Sequence, residues 1–251
     1  MPLQAATYGG DSVYMAVTGA PKTLIIHVHS FSGDEREITG DAAKSALLAI
    51  PDTVVICPRL YGPAGNPNTC GSPAQLALLN NIIQQAIADY GCDTVLLVGA
   101  SGGGGVGPTF MGAYPGVSQG ASFWCGYYDL ATWYQQSIRP SATYPNGTSY
   151  HTQMDATFGG PPTGALAAVY KSQSPSGVYQ NMRDCTIYIN DGRLDSDIDP
   201  DANRVAFYNA LQTLPVSAHV MPIYIPYPNM GHTIDWPTAV TQLKAMITPV
   251  A

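Results

Sequence analysis

The amino-acid sequence predicts an α/β protein built on a mostly parallel, doubly wound sheet. Short β-branched runs alternate along the chain with segments of helical periodicity, and this order implies strands joined by right-handed crossover helices. Apolar runs such as TVLLVG at 94–99 lack the polar alternation of a half-exposed strand, which is typical of strands covered on both faces. With 251 residues, of which 45% are hydrophobic, the chain is long enough for a substantial core, and we expect one domain over residues 1–251.

The individual elements follow from local pattern. The predicted strands are short apolar runs, at 12–17, 23–29, 53–57, 94–99, 121–125, 185–190 and 219–225. The predicted helices are amphipathic segments between them, at 40–50, 73–90, 103–114, 200–214 and 236–248. Ser72 and Asp199 are suitable caps for two of these helices, because Pro73 and Pro200 follow them in a first turn that tolerates proline.

Residues 126–184 interrupt this alternation. They contain no clear strand and are too long for a plain connection, so we expect a cap-like insertion that lies over the end of the sheet, after strand 121–125. The insertion is rich in aromatic residues that either line a pocket or, more commonly, pack the insertion onto the body of the domain. These residues are Tyr127, Tyr128, Trp133, Tyr134 and Tyr150.

Composition and charge exclude several classes of partner. The formal net charge is −7 and only 11% of the residues are charged, which argues against a nucleic-acid or anionic-membrane partner, since both require a basic face. No run of 18 apolar residues is present, so we expect no membrane span. The start of the sequence lacks the pattern of a signal peptide, as a mature secreted chain also would, and the composition favours secretion.

The five cysteines give no metal signature, because no two of them have the CxxC spacing of a structural zinc site. Cys57 and Cys70 flank the loop PRLYGPAGNPNT and are placed to form a disulfide across it. Cys57, Cys125 and Cys185 are equally well explained as buried thiols at the ends of strands. We expect neither a metal nor a cofactor.

The strongest chemical signal is the segment LVGASGGGGVG at 97–107, which contains the pattern G-x-S-x-G with Ser101 at its centre. A predicted strand precedes it and a predicted helix follows it, as required for a sharp turn that exposes a nucleophilic hydroxyl. A dinucleotide-binding loop is the rival, but it requires an acidic residue at the end of the next strand, and Asp129 comes too late. The run of glycines after Ser101 exceeds what such a turn needs, and we expect close packing there.

A nucleophilic serine needs a base, and in this arrangement the acid and then the histidine follow the serine along the chain. His232 lies in the loop YPNMGHTIDW, after the last strand and before the last helix, where it can reach a serine at the carboxyl edge of the sheet. His219 opens an apolar strand and is better explained as a structural histidine. His29, at the end of strand 23–29, is assigned no catalytic role.

The acid is expected in the loop NDGRLDSDIDPD that follows strand 185–190. Five aspartates compete there, namely Asp191, Asp195, Asp197, Asp199 and Asp201. The last two are better explained as favourable charge at the start of the next helix. We choose Asp195 from its position in the loop, with Asp191 and Asp197 as reserves. Its carboxylate would hold His232 in the tautomer that accepts the serine proton.

An oxyanion formed at the serine requires two aimed donors. We expect the backbone N–H of Gly102, directly after the nucleophile, to supply one of them. The N–H of Phe31, in the loop HVHSFSG after strand 23–29, is expected to supply the other.

Together these motifs resemble the α/β-hydrolases, over nearly the whole chain. TLIIHVHSFSG is similar to the strand and HG loop of that family, although Ser30 stands where the family usually has glycine, and VLLVGASGGG resembles the nucleophile elbow. The sequence Gly192-Arg193-Leu194-Asp195 looks like the G-x-x-D of acyl esterases and prolyl-oligopeptidase-like hydrolases, and YPNMGHT resembles the loop of the catalytic histidine. The segment before the elbow is also similar to secreted polyhydroxybutyrate-depolymerase and feruloyl-esterase-type enzymes.

The sequence therefore predicts a serine carboxylesterase that uses Ser101, His232 and Asp195. We expect a small-molecule or polymeric ester substrate, and the aromatic insertion and the secreted-looking composition favour an acylated carbohydrate or a polyester. Two alternatives stay open: a serine peptidase of the prolyl-oligopeptidase-like type, and a non-catalytic binding module on the same fold.

Overall fold

An eight-stranded sheet forms the centre of the molecule, with strand order β1-β2-β4-β3-β5-β6-β7-β8. The computed structural model describes residues 2–138 and 150–247. The strands are β1 (Gln4–Tyr8), β2 (Asp11–Val17), β3 (Thr23–Val28), β4 (Thr53–Pro58), β5 (Thr94–Ala100), β6 (Gly120–Trp124), β7 (Cys185–Gly192) and β8 (Val220–Tyr227). From β3 to β8 all neighbours pair in parallel, whereas β1 and β2 are antiparallel to their neighbours. The predicted mostly parallel sheet is confirmed.

The sequence prediction missed β1. This strand is short and Ala-rich, and most of its residues are exposed or half-buried, so it carries no hydrophobic pattern. It forms a hairpin with β2 through Gly9 and Gly10, whose φ angles of 61° and 87° suit a tight turn. The Gly-Gly pair was the one available signal for the hairpin.

Helices cover both faces of the sheet. They are α1 (Asp41–Leu48), α2 (Pro73–Tyr90), α3 (Gly103–Ala113), α4 (Leu130–Ser137), α5 (Tyr150–Phe158), α6 (Ala165–Ser172), α7 (Pro175–Val178), α8 (Ala206–Gln212) and α9 (Trp236–Ile247). Helices α2, α3 and α8 share one core with the sheet, and α1 and α9 share the core on the opposite face. This two-faced burial explains why the central strands are continuous apolar runs.

Of the two predicted helix caps, one starts an α-helix and the other starts a π-helical turn. Ser72 caps α2, because its hydroxyl accepts a hydrogen bond from the amide of Gln75 at 3.1 Å. The predicted helix 200–214 instead begins as a π-helical turn, Asp201–Val205, which then continues as α8. Asp199 still caps this turn by accepting from the amide of Ala202 at 3.0 Å.

Helices α4 to α7 occupy the part of residues 126–184 that the structure describes; residues 139–149 of this segment lie outside the described residues. The aromatic side chains of these helices pack into a core of their own with Phe31. Tyr127 and Trp133 stack with their ring planes 9° apart, and Trp133 meets Phe31 edge to face. These aromatic residues therefore serve packing rather than an open pocket, whereas the cap role of the segment stays a prediction.

The cysteines are all buried free thiols, so Cys57 and Cys70 do not form the disulfide that their spacing allowed. Cys57 lies on β4 and points into the core covered by α1 and α9. Cys70 lies in the aromatic core of the insertion. The two side chains are thus committed to different cores, which sequence spacing alone does not reveal. None of the helices that the structure describes is long and apolar enough to cross a membrane.

The glycine run that opens α3 is packed against its surroundings on every turn. A Cβ atom on Gly103 would lie 2.0 Å from the carbonyl oxygen of Val28, and one on Gly105 would lie 2.2 Å from the ring of Tyr127. A Cβ atom on Gly104 would lie 2.8 Å from the Cα atom of Gly126. The expected close packing is confirmed, and it explains glycines that are otherwise poor helix formers.

We expect the substitution Gly103→Ala to destabilise the protein by about 3 kcal/mol, because the new methyl group meets backbone that cannot move aside. In an open helix the same change would stabilise by about 1 kcal/mol, so the sign is diagnostic. Urea unfolding measures the difference. Gly40→Ala is the matched control, since its Cβ would lie 3.6 Å from the nearest atom, the carbonyl oxygen of Glu37. A stabilised Gly103→Ala variant would contradict the packing described above.

Candidate active site

The predicted site residues gather at one edge of the sheet. The carboxyl ends of parallel strands lie at the same edge, and loops leave that edge after β3, β5, β6, β7 and β8. Phe31 follows β3, Ser101 follows β5, Asp195 follows β7 and His232 follows β8. The topology therefore brings together four segments that are far apart in sequence.

Ser101 occupies a strained turn between β5 and α3. Its φ angle is 54°, in the left-handed region that residues with a side chain rarely adopt. Its amide donates a hydrogen bond to the carbonyl oxygen of Trp124 at 2.9 Å, which fixes the turn against the end of β6. The side chain is half-buried. This is the geometry that a G-x-S-x-G turn requires.

Asp195 and His232 form a hydrogen-bonded pair. Nδ1 of His232 lies 2.9 Å from Oδ2 of Asp195, and the Asp195 side chain is fully buried while that of His232 is 20% exposed. The other carboxylate oxygen accepts hydrogen bonds from the amides of Asp197 and Ile198 at 2.9 and 3.0 Å. Both oxygens of Asp195 are thus held in place by named donors.

The pKa of Asp195 lies below its usual value. Burial by itself raises this pKa, but the hydrogen bond and charge of His232, the charge of Arg204 and the amide of Ile198 outweigh the effect of burial. The carboxylate therefore stays ionised at neutral pH, as a partner for the histidine ring must be.

Cys125 links the serine turn to the histidine loop. Its Sγ lies 3.5 and 3.4 Å from the carbonyl oxygens of Gly231 and Thr233, which flank His232, and its single S–H proton is shared between these two acceptors. The preceding residue, Trp124, binds the amide of Ser101. Two consecutive residues at the end of β6 thus contact both the amide of Ser101 and the backbone on each side of His232. Burial raises the pKa of the Cys125 thiol, so it stays a neutral donor.

The thiol of Cys125, the carboxylate of Asp195 and the ring of His232 also have ligand atoms within 4.8 Å of one another. These are ligand types that zinc accepts. The atoms of Asp195 and His232 nevertheless already satisfy each other, so the arrangement is explained without a metal. The expectation that no metal is needed stays a prediction.

The two predicted oxyanion donors lie side by side. A Cβ atom on Gly102 would lie 2.3 Å from the backbone nitrogen of Phe31, so these two backbones are closer than any residue with a side chain would allow. A cavity of about 20 Å³ lies beside both residues, lined also by Val106 and Tyr127. This volume accommodates one or two water molecules.

Glu37 anchors the loop that carries Phe31, a role that sequence reasoning missed. One carboxylate oxygen accepts from the amide and the hydroxyl of Ser30 at 2.9 and 2.5 Å, and the other lies 3.4 Å from Nε2 of the buried His27. Burial alone would raise the pKa of Glu37, but bonds to His27 and Ser30, together with the positive charge of His27 when protonated, hold it at about 2. The hydroxyl of Ser30 therefore makes a hydrogen bond to Glu37 that a glycine, having no side chain, could not make.

The carboxylate of the first reserve acid, Asp191, binds other side chains, whereas the contact recorded for Asp197 is through its main chain. Asp191 is fully buried and binds Arg204, Arg193 and Tyr224. Asp197 is half-buried, and its carbonyl oxygen accepts a hydrogen bond from the indole of Trp133. Of the three candidates in this loop, Asp195 is the one that contacts His232.

The other two histidines considered from sequence are structural. The ring nitrogens of His29 contact the carbonyl oxygens of Ser30 and Arg59 at 2.8 and 2.7 Å, so this side chain anchors the loop after β3. His219 lies at the surface just before β8, where it pairs with Asp184 at 3.0 Å. Neither arrangement gives the residue a part in the predicted site.

Comparison with known proteins rests on structure alone. No protein-family model and no curated protein sequence matches the chain. Among solved structures, it is similar to an acylaminoacyl peptidase from Pyrococcus horikoshii, with a TM-score of 0.67 and 12% identity over 98% of this chain. A puromycin-hydrolysing peptidase from Mycobacterium tuberculosis matches with a TM-score of 0.61 and 16% identity over 97% of this chain.

The chain spans only 40% and 38% of the lengths of these two peptidases. A putative dienelactone hydrolase from Klebsiella pneumoniae subsp. pneumoniae MGH 78578 is instead matched over almost its full length. It has a TM-score of 0.60 and 16% identity, and the match covers 98% of this chain and 95% of that one. At these identities the likeness shows the fold, and the protein described here has the α/β-hydrolase fold.

Proposed function

We propose that this protein is a serine hydrolase of carboxylic esters, with Ser101 as nucleophile, His232 as base and Asp195 as the acid that orients it. The observation that carries the proposal is the bonding around Cys125. The end of β6 binds the amide of the left-handed Ser101 and the carbonyls on both sides of His232, whose ring is paired with Asp195. A surface histidine or a packing serine would need none of this geometry.

The proposed reaction passes through an acyl-enzyme. Oγ of Ser101 attacks the ester carbonyl carbon while Nε2 of His232 accepts the hydroxyl proton, and Asp195 stabilises the imidazolium through Nδ1–H. The backbone N–H groups of Gly102 and Phe31 would stabilise the oxyanion. Collapse expels the alcohol, which takes the proton from His232. Water then repeats the two steps and releases the acid, without metal or cofactor.

A serine peptidase is the second candidate, since two of the three similar structures described above are peptidases by title. The ester proposal is preferred because the chain corresponds to less than half of those peptidases but to nearly all of the putative dienelactone hydrolase. A binding module would have little use for a buried carboxylate paired with a histidine at the same sheet edge as a strained serine. The proposed acylated-carbohydrate or polyester substrate rests on composition alone, because the aromatic residues of the segment 126–184 that were expected to support it are buried.

We expect Ser101→Ala to abolish both covalent labelling by a fluorophosphonate probe and hydrolysis of p-nitrophenyl esters, because it removes the attacking oxygen. Ser217→Ala, at an exposed serine away from the sheet edge, is the matched control and should behave as wild type. A peptide anilide assayed in parallel should be turned over far more slowly than the esters. Equal labelling of wild type and Ser101→Ala would refute the nucleophile, and equal anilide and ester turnover would favour the peptidase.

We expect Asp195→Asn to lower kcat by about 10⁴-fold while the protein still folds, because an amide cannot stabilise the imidazolium or hold the required tautomer. Asp197→Asn is the matched control two residues away and should keep nearly full activity. Steady-state kinetics with circular dichroism of each variant separates the chemical effect from misfolding. Full activity in Asp195→Asn with loss in Asp197→Asn would transfer the role of the acid.

We expect Glu37→Gln to lower kcat by about 10-fold with little change in KM, since the loop that presents the Phe31 amide loses its ionic anchor. The substitution should also make the free energy of unfolding depend less on pH. The folded-state pKa of about 2 lies below the ordinary 4.5, so ionised Glu37 stabilises the fold above pH 4.5 and this contribution is lost as pH falls toward 2.

Urea unfolding at neutral pH and at several acidic values down to about pH 3 measures this second effect, as the difference between wild type and variant. Asp93→Asn, at an exposed carboxylate, is the control. A Glu37→Gln variant with the same acid-dependent loss as wild type would contradict the anchoring role.

A further inference from the structure

A buried arginine lies between two buried carboxylates behind the proposed site. Nε of Arg204 donates to Oδ1 of Asp191 at 2.8 Å, and Nη2 lies 3.1 Å from Oδ2 of Asp195. The Arg204 side chain is 3% exposed and both aspartate side chains are fully buried. Arg204 sits in the π-helical turn before α8, a local distortion of the kind found often at functional sites.

Arg204 contacts the same carboxylate oxygen of Asp195 that accepts a hydrogen bond from His232. Oδ2 of Asp195 lies 2.9 Å from Nδ1 of His232 and 3.1 Å from Nη2 of Arg204. The guanidinium and the imidazole therefore share one negative charge. A cation at this distance disfavours a second positive charge on the ring, so it opposes protonation of His232.

The same side chain also fixes the loop that carries the acid. Nη1 of Arg204 donates to the carbonyl oxygen of Ile198 at 2.8 Å. The amide of Ile198 in turn donates to Oδ1 of Asp195. Arg204 thus closes a ring of contacts around Asp195, and an unpaired buried charge would remain if it were removed.

We propose that Arg204 is a positioning residue that holds Asp195 against His232 and, through its charge, sets the pH at which the histidine becomes a base. Asp191 is its counter-charge and moderates the effect. This inference rests on the proposed function, since it assigns Arg204 a part in the same site.

The neighbouring charged and titratable groups are consistent with this assignment. They are Asp191, Arg193, Asp201 and Tyr224 on the side of the acid, Cys125 at the end of β6, and Asp235 on the loop of the histidine. Tyr224 and Cys125 are neutral, because burial raises the pKa of Tyr224 to about 12 and also raises that of Cys125. Arg193 binds the far oxygen of Asp191 and is partly exposed.

Two substitutions should move the pH profile in opposite directions. Arg204→Gln removes the cation, so the imidazolium becomes easier to form and the acid limb of kcat/KM should rise by about 0.5 to 1 pH unit. Asp191→Asn leaves the arginine less neutralised, so the acid limb should fall by about 0.5 unit. A residue with a purely structural role would lower activity in both variants without moving the limb.

Arg204→Lys separates charge from geometry. Its ammonium keeps the positive charge but cannot bridge both aspartates and Ile198 at once. We expect the wild-type acid limb with kcat lowered by about 10-fold and KM little changed. Arg183→Gln, at an exposed arginine far from the site, is the matched control for the loss of one positive charge and should leave the profile unchanged.

The readout is made independent of turnover by NMR titration of the His232 ring in the Ser101→Ala background, with the resonance assigned by its loss in His232→Ala. The midpoint should rise with Arg204→Gln and fall with Asp191→Asn. If Arg204→Gln does not fold, Asp191→Asn and Arg204→Lys decide the question.

Unchanged midpoints in the folded variants, or shifts of the same sign, would overturn the inference. An active Ser101→Ala protein would instead overturn the proposed function, while the titration would still report the coupling between Arg204 and His232.

Discussion

Close backbone contact around the glycine run at the start of α3 is the constraint on which the rest of the site depends. Gly102 lies against the amide of Phe31, Gly103 against the carbonyl of Val28, and Gly104 against Gly126. Any side chain in this run would push the helix away from the ends of β3 and β6. The left-handed turn at Ser101 and the adjacency of the two predicted oxyanion donors are consequences of that approach. The helix accepts residues of poor helical propensity because this packing position requires them.

A second layer of structure lies behind the sheet edge and is ionic rather than apolar. Glu37 holds the loop after β3 through Ser30, and Arg204 holds the loop after β7 through Asp191, Asp195 and Ile198. Buried charges are tolerated only when each has a partner, and here the partners lie within residues 27–37 and within residues 191–204. These directional contacts fix the shape of each loop more sharply than non-directional apolar packing does, and the Asp195–His232 pair then joins the loop after β7 to the loop after β8.

Much of the fold was predictable because the central strands are buried on both faces. Apolar runs predicted seven of the eight strands, including the half-buried β2 and the edge strand β8, and the cap residue Ser72 predicted where α2 begins. The missed strand, β1, lies at the edge of the sheet, where little burial means little pattern. The disulfide suggested by the spacing of Cys57 and Cys70 is absent because their side chains enter different cores. The sequence showed that the segment 126–184 is rich in aromatic residues but not which way their side chains point, and in the structure they are buried.

The order of the motifs along the chain by itself determined the fold class and the serine, histidine and acid loops of the candidate site, because strand-to-helix turns and strand ends have local signatures. Only the tertiary structure decided that Asp195 is the aspartate that contacts His232. It also decided that Trp124 and Cys125 connect the serine turn to the histidine loop, and that Glu37 and Arg204 anchor the loops after β3 and β7. The contacts of His232 and Cys125 join residues 37 or more positions apart, whereas those of Glu37 and Arg204 span 6 to 13 positions, and none of them has a local sequence pattern. A buried charge is recognised by its partner, and the partner is known only when the chain has folded.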